Sequence, residues 1–311
     1  MSVPLPAPER LTGRGRRLRG FVANPWRQPR FLAAYSWLLL AWAIVPVGIA
    51  VLFSFNAGRS RSTWQGFSLR WYLNDPELSV FHDPVLHGAV LQSVKLAALT
   101  MFVATPIGVA MAIGLARWRG PVASSSNFLM LLPLVTPEIV LASGLLLIFA
   151  HLYRFGDVTL FGTPAQLLGH VTWAIPYVVV VIRGRLFGLG KEYEEAAMDL
   201  GAAPTQALRR VVLPLLAPAI FAAFMIVFAL SIDDFVTSQF LYKNEDTITI
   251  PMLIYGTGRT GTNPSLNAVA TVMLVLSLSA VAIAAAVLRS VAKRRGTGSD
   301  SAAGELVRFE I

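Results

Sequence analysis

The 311-residue chain contains no cysteine. A disulfide scaffold and a thiolate metal site are therefore excluded, and the redox compartment stays undecided. Charge is scarce: 14% of residues are Asp, Glu, Lys or Arg, against 55% hydrophobic. A soluble protein of this size rarely carries so little charge. The four histidines are scattered and give no metal-ligand spacing. No Gly-x-x-x-x-Gly-Lys-Ser/Thr loop is present to cradle a nucleotide phosphate. No convergent set of nucleophile, base and metal ligands is visible, which disfavours a membrane enzyme. One Gly-x-Gly-x-x-Gly run, Gly256 to Gly261, has no βαβ setting and no following ribose-binding carboxylate. A hinge or turn is the expectation there.

Long apolar runs are what the chain does have. Six stretches, near 31–54, 87–116, 127–152, 165–187, 214–232 and 267–290, suffice to span the hydrocarbon. About 20 helical residues are needed for each crossing. Helix is expected because backbone groups in lipid must be satisfied within the segment. The fold class is therefore an all-α membrane protein with six transmembrane helices. Residues 1–30 form a basic cytoplasmic tail, 31–290 the membrane domain, and 291–311 a Gly/Ser-rich tail expected to be disordered. No small-residue cleavage site follows the first span, which reads as a retained helix.

The net charge of +9 is distributed as in a membrane protein. With the N-terminus inside, the inner segments together with Arg183, Arg185 and Arg289 at the inner span ends hold 19 Lys/Arg against 8 Asp/Glu; outer segments hold 6 against 8. This is a positive-inside bias. The cluster Arg10, Arg14, Arg16, Arg17 and Arg19 suits anionic membrane lipid. It lacks the aromatic interleaving of a nucleic-acid surface, so no nucleic-acid partner is expected. In the first outer loop, residues 66–72 alternate apolar and polar. Trp71 and Tyr72 there suit the depth of the outer interface.

The inner loop 188–214 is the most informative segment. Lys191 to Leu200 are good helix formers, with Glu192, Glu194 and Glu195 in the first turns, where the helix dipole favours negative charge. Ala196 and Ala197 remove bulk, so a partner surface can approach closely. Gly201 can take positive φ and end the helix, and Pro204 can start another. Glu195-Ala196-Ala197, Gly201, Val211, Leu213 and Pro214 together resemble the EAA loop of bacterial ABC-importer permeases. The resemblance implies a type I importer permease fold (MetI-like). It also implies a coupling helix that docks an ATPase through Glu194, Glu195, Ala196, Ala197, Asp199, Gly201, Leu213 and Pro214. The bland alternative is an amphipathic connector.

Four further segments are similar to the PotC-type permeases of spermidine/putrescine importers. They are Pro137-Glu138-Ile139-Val140, His170 to Val178, Ser231 to Val236 and Asn263 to Ala268. The chain departs from that pattern at Gln92, at Gly190-Lys191 and at Lys243 to Asp246. The resemblance implies polyamine import across the bacterial inner membrane, with both termini cytoplasmic. It also implies a second homologous permease subunit, a cytoplasmic ABC ATPase dimer and an extracytoplasmic solute-binding protein. No cofactor is expected on this chain, ATP and Mg belonging to the ATPase. Other solutes of the same transporter class, such as an opine or an aminophosphonate, stay open, and a stand-alone secondary transporter is disfavoured by the docking loop.

Asp233, Asp234 and Glu138 are acidic residues in or beside spans, which are expensive and often functional. They could pair the ammonium groups of a polyamine, with Trp173, Tyr177 and Phe235 adding cation–π contacts. Equally, the Asp pair could be a solvated or salt-bridged helix end, Glu138 a dipole partner in a helix broken at Pro137, and Trp173 and Tyr177 packing residues. Lys95 is expected to snorkel or pair with an acid. His170 is expected to pack or hydrogen-bond.

Topology is directly testable. Single cysteines replacing Ser60 and Thr262 should react with a membrane-impermeant thiol reagent from the periplasmic side. Labelling only from the cytoplasm would reverse the orientation.

Overall fold

The computed structural model describes residues 30–60, 63–117, 121–156, 161–260 and 264–294. The N-terminal arginine cluster, Gly261, Thr262 and the tail beyond Arg294 lie outside the described residues. All regular elements among the described residues are helical: α1 (Arg30–Phe53), α2 (Pro84–Arg117), α3 (Pro121–Val135), α4 (Glu138–Gly156) and α5 (Thr163–Leu189). Then come α6 (Glu192–Asp199), α7 (Pro204–Ala207), α8 (Leu213–Asp233), α9 (Val236–Leu241), α10 (Ile250–Thr260) and α11 (Pro264–Arg294). Five helices are long and apolar enough to cross a membrane, and the pair α3–α4 makes a sixth, broken span.

The core is the bundle of α2, α5 and α8. Buried Ala104, Ala112, Ala174, Ala219 and Ala223 let these backbones approach. Lipid tails are as apolar as leucine, so close packing of small residues is what holds such helices together. At Gly108 the approach is tightest: a Cβ there would sit 2.6 Å from Val178 Cβ. α1 lies at the edge, packed on α11.

The third stretch, expected as one span, is bent by 104° between Val135 and Glu138. Pro137 supplies no N–H, and Thr136 before it is disfavoured in the helical region. Thr136 Oγ1 donates to the Leu132 carbonyl at 2.7 Å. The Pro137 carbonyl starts the next helix by accepting from Val140 N and Leu141 N. The fifth span begins earlier than expected, because helix runs back to Pro204 through a π-helical turn, Leu208–Val212. Pro214 supplies no N–H for the carbonyl four residues back, and a widened turn absorbs that defect.

Two sequence expectations are corrected. Trp71 is fully buried within the protein and presents no ring face to a membrane interface. Its indole N–H donates to the Asn56 carbonyl at 2.6 Å, and it packs with Val80, Leu86, Ile250 and Leu253. The loop between α1 and α2 holds enough apolar surface to build its own small core over α2, α10 and α11. Tyr72 is half-buried, its hydroxyl 2.7 Å from Ser54 Oγ. In the same loop Asp75 accepts from Arg70 Nε at 2.7 Å. Burial opposes its charge, but the N–H groups of Glu77 and Leu78 and the Arg70 guanidinium outweigh that and hold the carboxyl below its usual range. The second correction concerns Gly256 and Gly258. They lie inside the helix Ile250–Thr260, not in a hinge. Its buried face, Ile250, Met252 and Leu253, provides the packing that keeps those glycines helical. Lys95 is exposed on α2, with no acidic partner among the described residues.

Gly108 generates a stability prediction. Gly108→Val should lower the melting temperature of the solubilised protein, at a cost of about 1–3 kcal/mol from overpacking. Gly114→Ala, where a Cβ meets nothing within 4 Å, should leave it near its starting value. Equal effects of the two would contradict the close α2–α5 crossing.

Candidate functional site

The break in the third span opens a cleft of about 430 Å³. Its walls include Glu138, Trp173, Tyr177, Asp233, Asp234 and Phe235. All six side chains proposed from sequence for a solute pathway therefore meet at one place, although 97 positions separate the first from the last. Glu138 is exposed in the first turn of α4, at the positive end of that helix. Its carboxyl meets that of Asp234. Two facing carboxylates are acceptors only and repel each other, and a cation between them would satisfy both.

Asp234 ends α8 and is buried. Three donors converge on its Oδ2: Ser238 N at 2.9 Å, Ser238 Oγ at 3.1 Å and His170 Nε2 at 3.0 Å. His170, on α5, is fully buried, with Nδ1 2.7 Å from Ser231 Oγ. Asp233 differs. It is exposed, and it accepts a 3.0 Å hydrogen bond from Ser277 on α11.

Trp173 and Tyr177 sit one turn apart on α5, in an edge-on contact with centroids 6.0 Å apart. The Trp173 indole N–H is buried without a hydrogen-bond partner. Phe235 lies against Tyr255, with centroids 4.7 Å apart. The cleft thus brings carboxylates and aromatic rings together, the chemistry that recognises organic ammonium groups.

A second polar layer fixes the segment after Asp234. Gln166 is fully buried on α5, and its amide donates to the Ser238 and Thr247 carbonyls at 3.1 and 2.9 Å. Gln92 donates to Gln166 and to Thr163, while Ser93 Oγ accepts from Ile250 N at 2.8 Å. Sequence reasoning overlooked Ser231, Ser238 and Gln166. Their signal was a polar residue placed one turn from another within an apolar run, such as Gln166 with His170.

At the opposite end, α6 carries Glu194, Glu195, Ala196, Ala197 and Asp199, with none of its residues buried. It ends as expected. Gly201 has φ +89°, its N–H bonds to the Met198 carbonyl, and Ala202 N bonds to the Ala197 carbonyl. That pair of bonds is the Schellman closure. Pro204 starts the next helix, and Gln206 Oε1 accepts from Ala203 N at 3.3 Å. Leu213 and Pro214 are not on α6. They begin α8, with Leu213 packed on the main core. Arg117 at the end of α2 pairs with Glu194 at 2.7 Å. The helix is acidic and exposed, with Tyr193, Met198 and Leu200 presenting apolar surface beside the Ala196–Ala197 step.

Residues 104–293 match the family described as binding-protein-dependent transport system inner membrane component. The chain is 35% identical over 256 residues to the spermidine/putrescine transport system permease protein PotC of Haemophilus influenzae, covering 82% of this chain and 95% of that protein. It is also 35% identical over 256 residues to the putrescine transport system permease protein PotI of Escherichia coli K12, covering 81% and 87%. Among solved structures, a chain of a bacterial alginate ABC transporter, in complex with alginate pentasaccharide-bound periplasmic protein, superposes with a TM-score of 0.66. That likeness, at 17% identity over 89% of this chain and 99% of the other, supports the fold. A six-span helical bundle broken at its third crossing, an EAA-type loop and these matches agree: the chain belongs to the binding-protein-dependent transport system inner membrane component family.

Proposed function

We propose that this chain is one membrane subunit of an ATP-driven importer of polyamines, and that the cleft at the broken third span is where the solute's ammonium groups are met. The observation that carries the reading is the juxtaposition of the Glu138 and Asp234 carboxyls under Trp173, Tyr177 and Phe235. Spermidine and putrescine are flexible chains ending in ammonium groups. Asp234 is buried and Glu138 exposed, so the cleft sets one desolvated carboxylate, which holds such a group far better than a solvated one, beside one that is open to solvent. The names of the PotC and PotI relatives support the same solute class.

The assembly that fits has a second homologous permease subunit, two ATPase copies beneath and a solute-binding protein outside. ATP and Mg sit on the ATPase. Both termini face the cytoplasm. The α6 helix inserts into the ATPase surface. Closure of the ATPase pair pushes it, α5 and α8 rock, and the cleft alternates between the two sides of the membrane. The Gly201 closure is needed for this, because a side chain at φ +89° is strained and a carboxylate at a helix C-terminus is repelled by the dipole.

Two outcomes test the main proposal. Gly201→Asp should abolish uptake in a protein that still inserts in the membrane, with reduced co-purification of the ATPase. Normal uptake and assembly would remove the docking assignment. Asp234→Asn, which keeps size and removes charge, should lower spermidine-stimulated ATPase activity in proteoliposomes by about tenfold or more, as expected for breaking a desolvated pair. If Asp234→Asn, Asp233→Asn and the double variant all retain full stimulation, the acidic residues are structural only.

A further inference from the structure

We infer that His170 is the positioning residue of the cation site: from behind the cleft it fixes the Asp234 carboxylate so that Asp234 and Glu138 act as one clamp on a single ammonium group. The inference rests on the cleft reading above and adds a residue that does not itself touch the solute.

His170 is fully buried among helices of the main bundle. Each ring nitrogen has a defined partner. Nδ1 lies 2.7 Å from Ser231 Oγ on α8, and Nε2 lies 3.0 Å from Asp234 Oδ2 and 3.0 Å from Ser238 Oγ on α9. Because the carboxylate can only accept, Nε2 carries the proton that faces it, and Nδ1 is held by the Ser231 hydroxyl. The charged groups around this ring come from two elements: Asp234 just after α8 and, across Asp234, Glu138 at the head of α4. Trp173 lies one turn below on the same helix, its ring 5.5 Å from the imidazole. One buried ring therefore ties together the aromatic wall, the end of α8 and the start of α9.

The chemistry follows from that placement. With Ser238, His170 loads all three protein donors onto Asp234 Oδ2. The carboxylate is thereby held against repulsion from Glu138, and its remaining accepting capacity is left for the cleft. Without the Nε2 donor, a buried carboxylate facing another carboxylate gains by rotating away or taking up a proton. Either change lowers attraction for a cation. A histidine that merely filled space would have no such directional requirement.

Direction is what the experiment reads. In a glutamine side chain the amide nitrogen falls near the Nε2 position and can donate to Asp234. In asparagine it falls near Nδ1 and can reach only Ser231. The assembled transporter, reconstituted with ATPase and spermidine-loaded binding protein, is compared as unaltered protein, His170→Gln, His170→Asn and His170→Leu. Assembly and melting temperature are followed throughout. His170→Asn and His170→Leu should lower spermidine transport by roughly ten- to a hundredfold, the range for losing one buried hydrogen bond to a charged group. His170→Gln should stay within about threefold of the unaltered protein. In an Asp234→Asn background, His170→Asn should add little further loss, since the two act through one interaction.

Equal transport by the Gln and Asn variants, at either level, overturns the positioning role, and that contrast decides even if His170→Leu fails to assemble. Glu138→Gln and Asp234→Asn run in parallel. Full transport by both overturns the cleft reading together with this inference. Loss in both, with His170→Asn transporting like the unaltered protein, overturns this inference alone.

Discussion

A polar group buried in an apolar bundle must find a partner inside the protein, and this constraint organises the end of the molecule that holds the cleft. The carboxylate of Asp234 ends a membrane-spanning helix, where lipid offers it nothing. Its three donors come from α5 and from the first turn of α9. Satisfying them turns the chain sharply after Asp233 and brings α9 down between α4 and α5. Gln166 and Gln92 complete the tie by holding the Ser238 and Thr247 carbonyls and Thr163. The break at Pro137 obeys the same rule. Irregular backbone at membrane depth is tolerated where it lines a cavity, and here it lines the cleft.

The two ends of the protein are joined by stiff elements. α5 leads into the exposed helix α6, and α8 leads out of the same loop. The same α5 carries His170, Trp173 and Tyr177, and α8 ends at Asp233. A 21-residue helix such as α8 is about 30 Å long at 1.5 Å per residue. The loop and the cleft are thus joined by two continuous helices packed on α2, with Gly190 at positive φ between α5 and α6. The Arg117–Glu194 pair ties the end of α2 to the same loop. That pair is partly exposed and contributes about 0–1 kcal/mol, so it steers geometry more than it stabilises.

Much of this was legible in the chain. The apolar runs located the spans. The acidic first turn, Gly201 and Pro204 foretold a short helix, a positive-φ stop and a second start, each a local effect that neighbouring residues decide. Pro137 marked the break. The size of the bend, the meeting of Glu138 with Asp234 and the burial of His170 were not legible. In lipid, the outside of a helix is as apolar as its inside, so periodicity does not reveal which face is buried. Trp71 was misread for a related reason: an aromatic ring near a span suits both the interface and a small loop core, and only the Asn56 carbonyl and the α10 contacts decide between them. Gly256 and Gly258 suggested a turn, yet packing of Ile250 and Leu253 outweighs the modest cost of glycine in a helix, about 1 kcal/mol each.

The central claim is that the cleft between Glu138 and Asp234 receives the charged end of the solute. Structure determination of the whole transporter, trapped with an ATP analogue in the presence of spermidine-loaded binding protein, tests it most directly. The account predicts solute density with an ammonium group within hydrogen-bonding distance of both carboxyls, flanked by Trp173 and Tyr177. Solute density elsewhere, with Glu138 and Asp234 paired to residues of the second permease subunit, would contradict it.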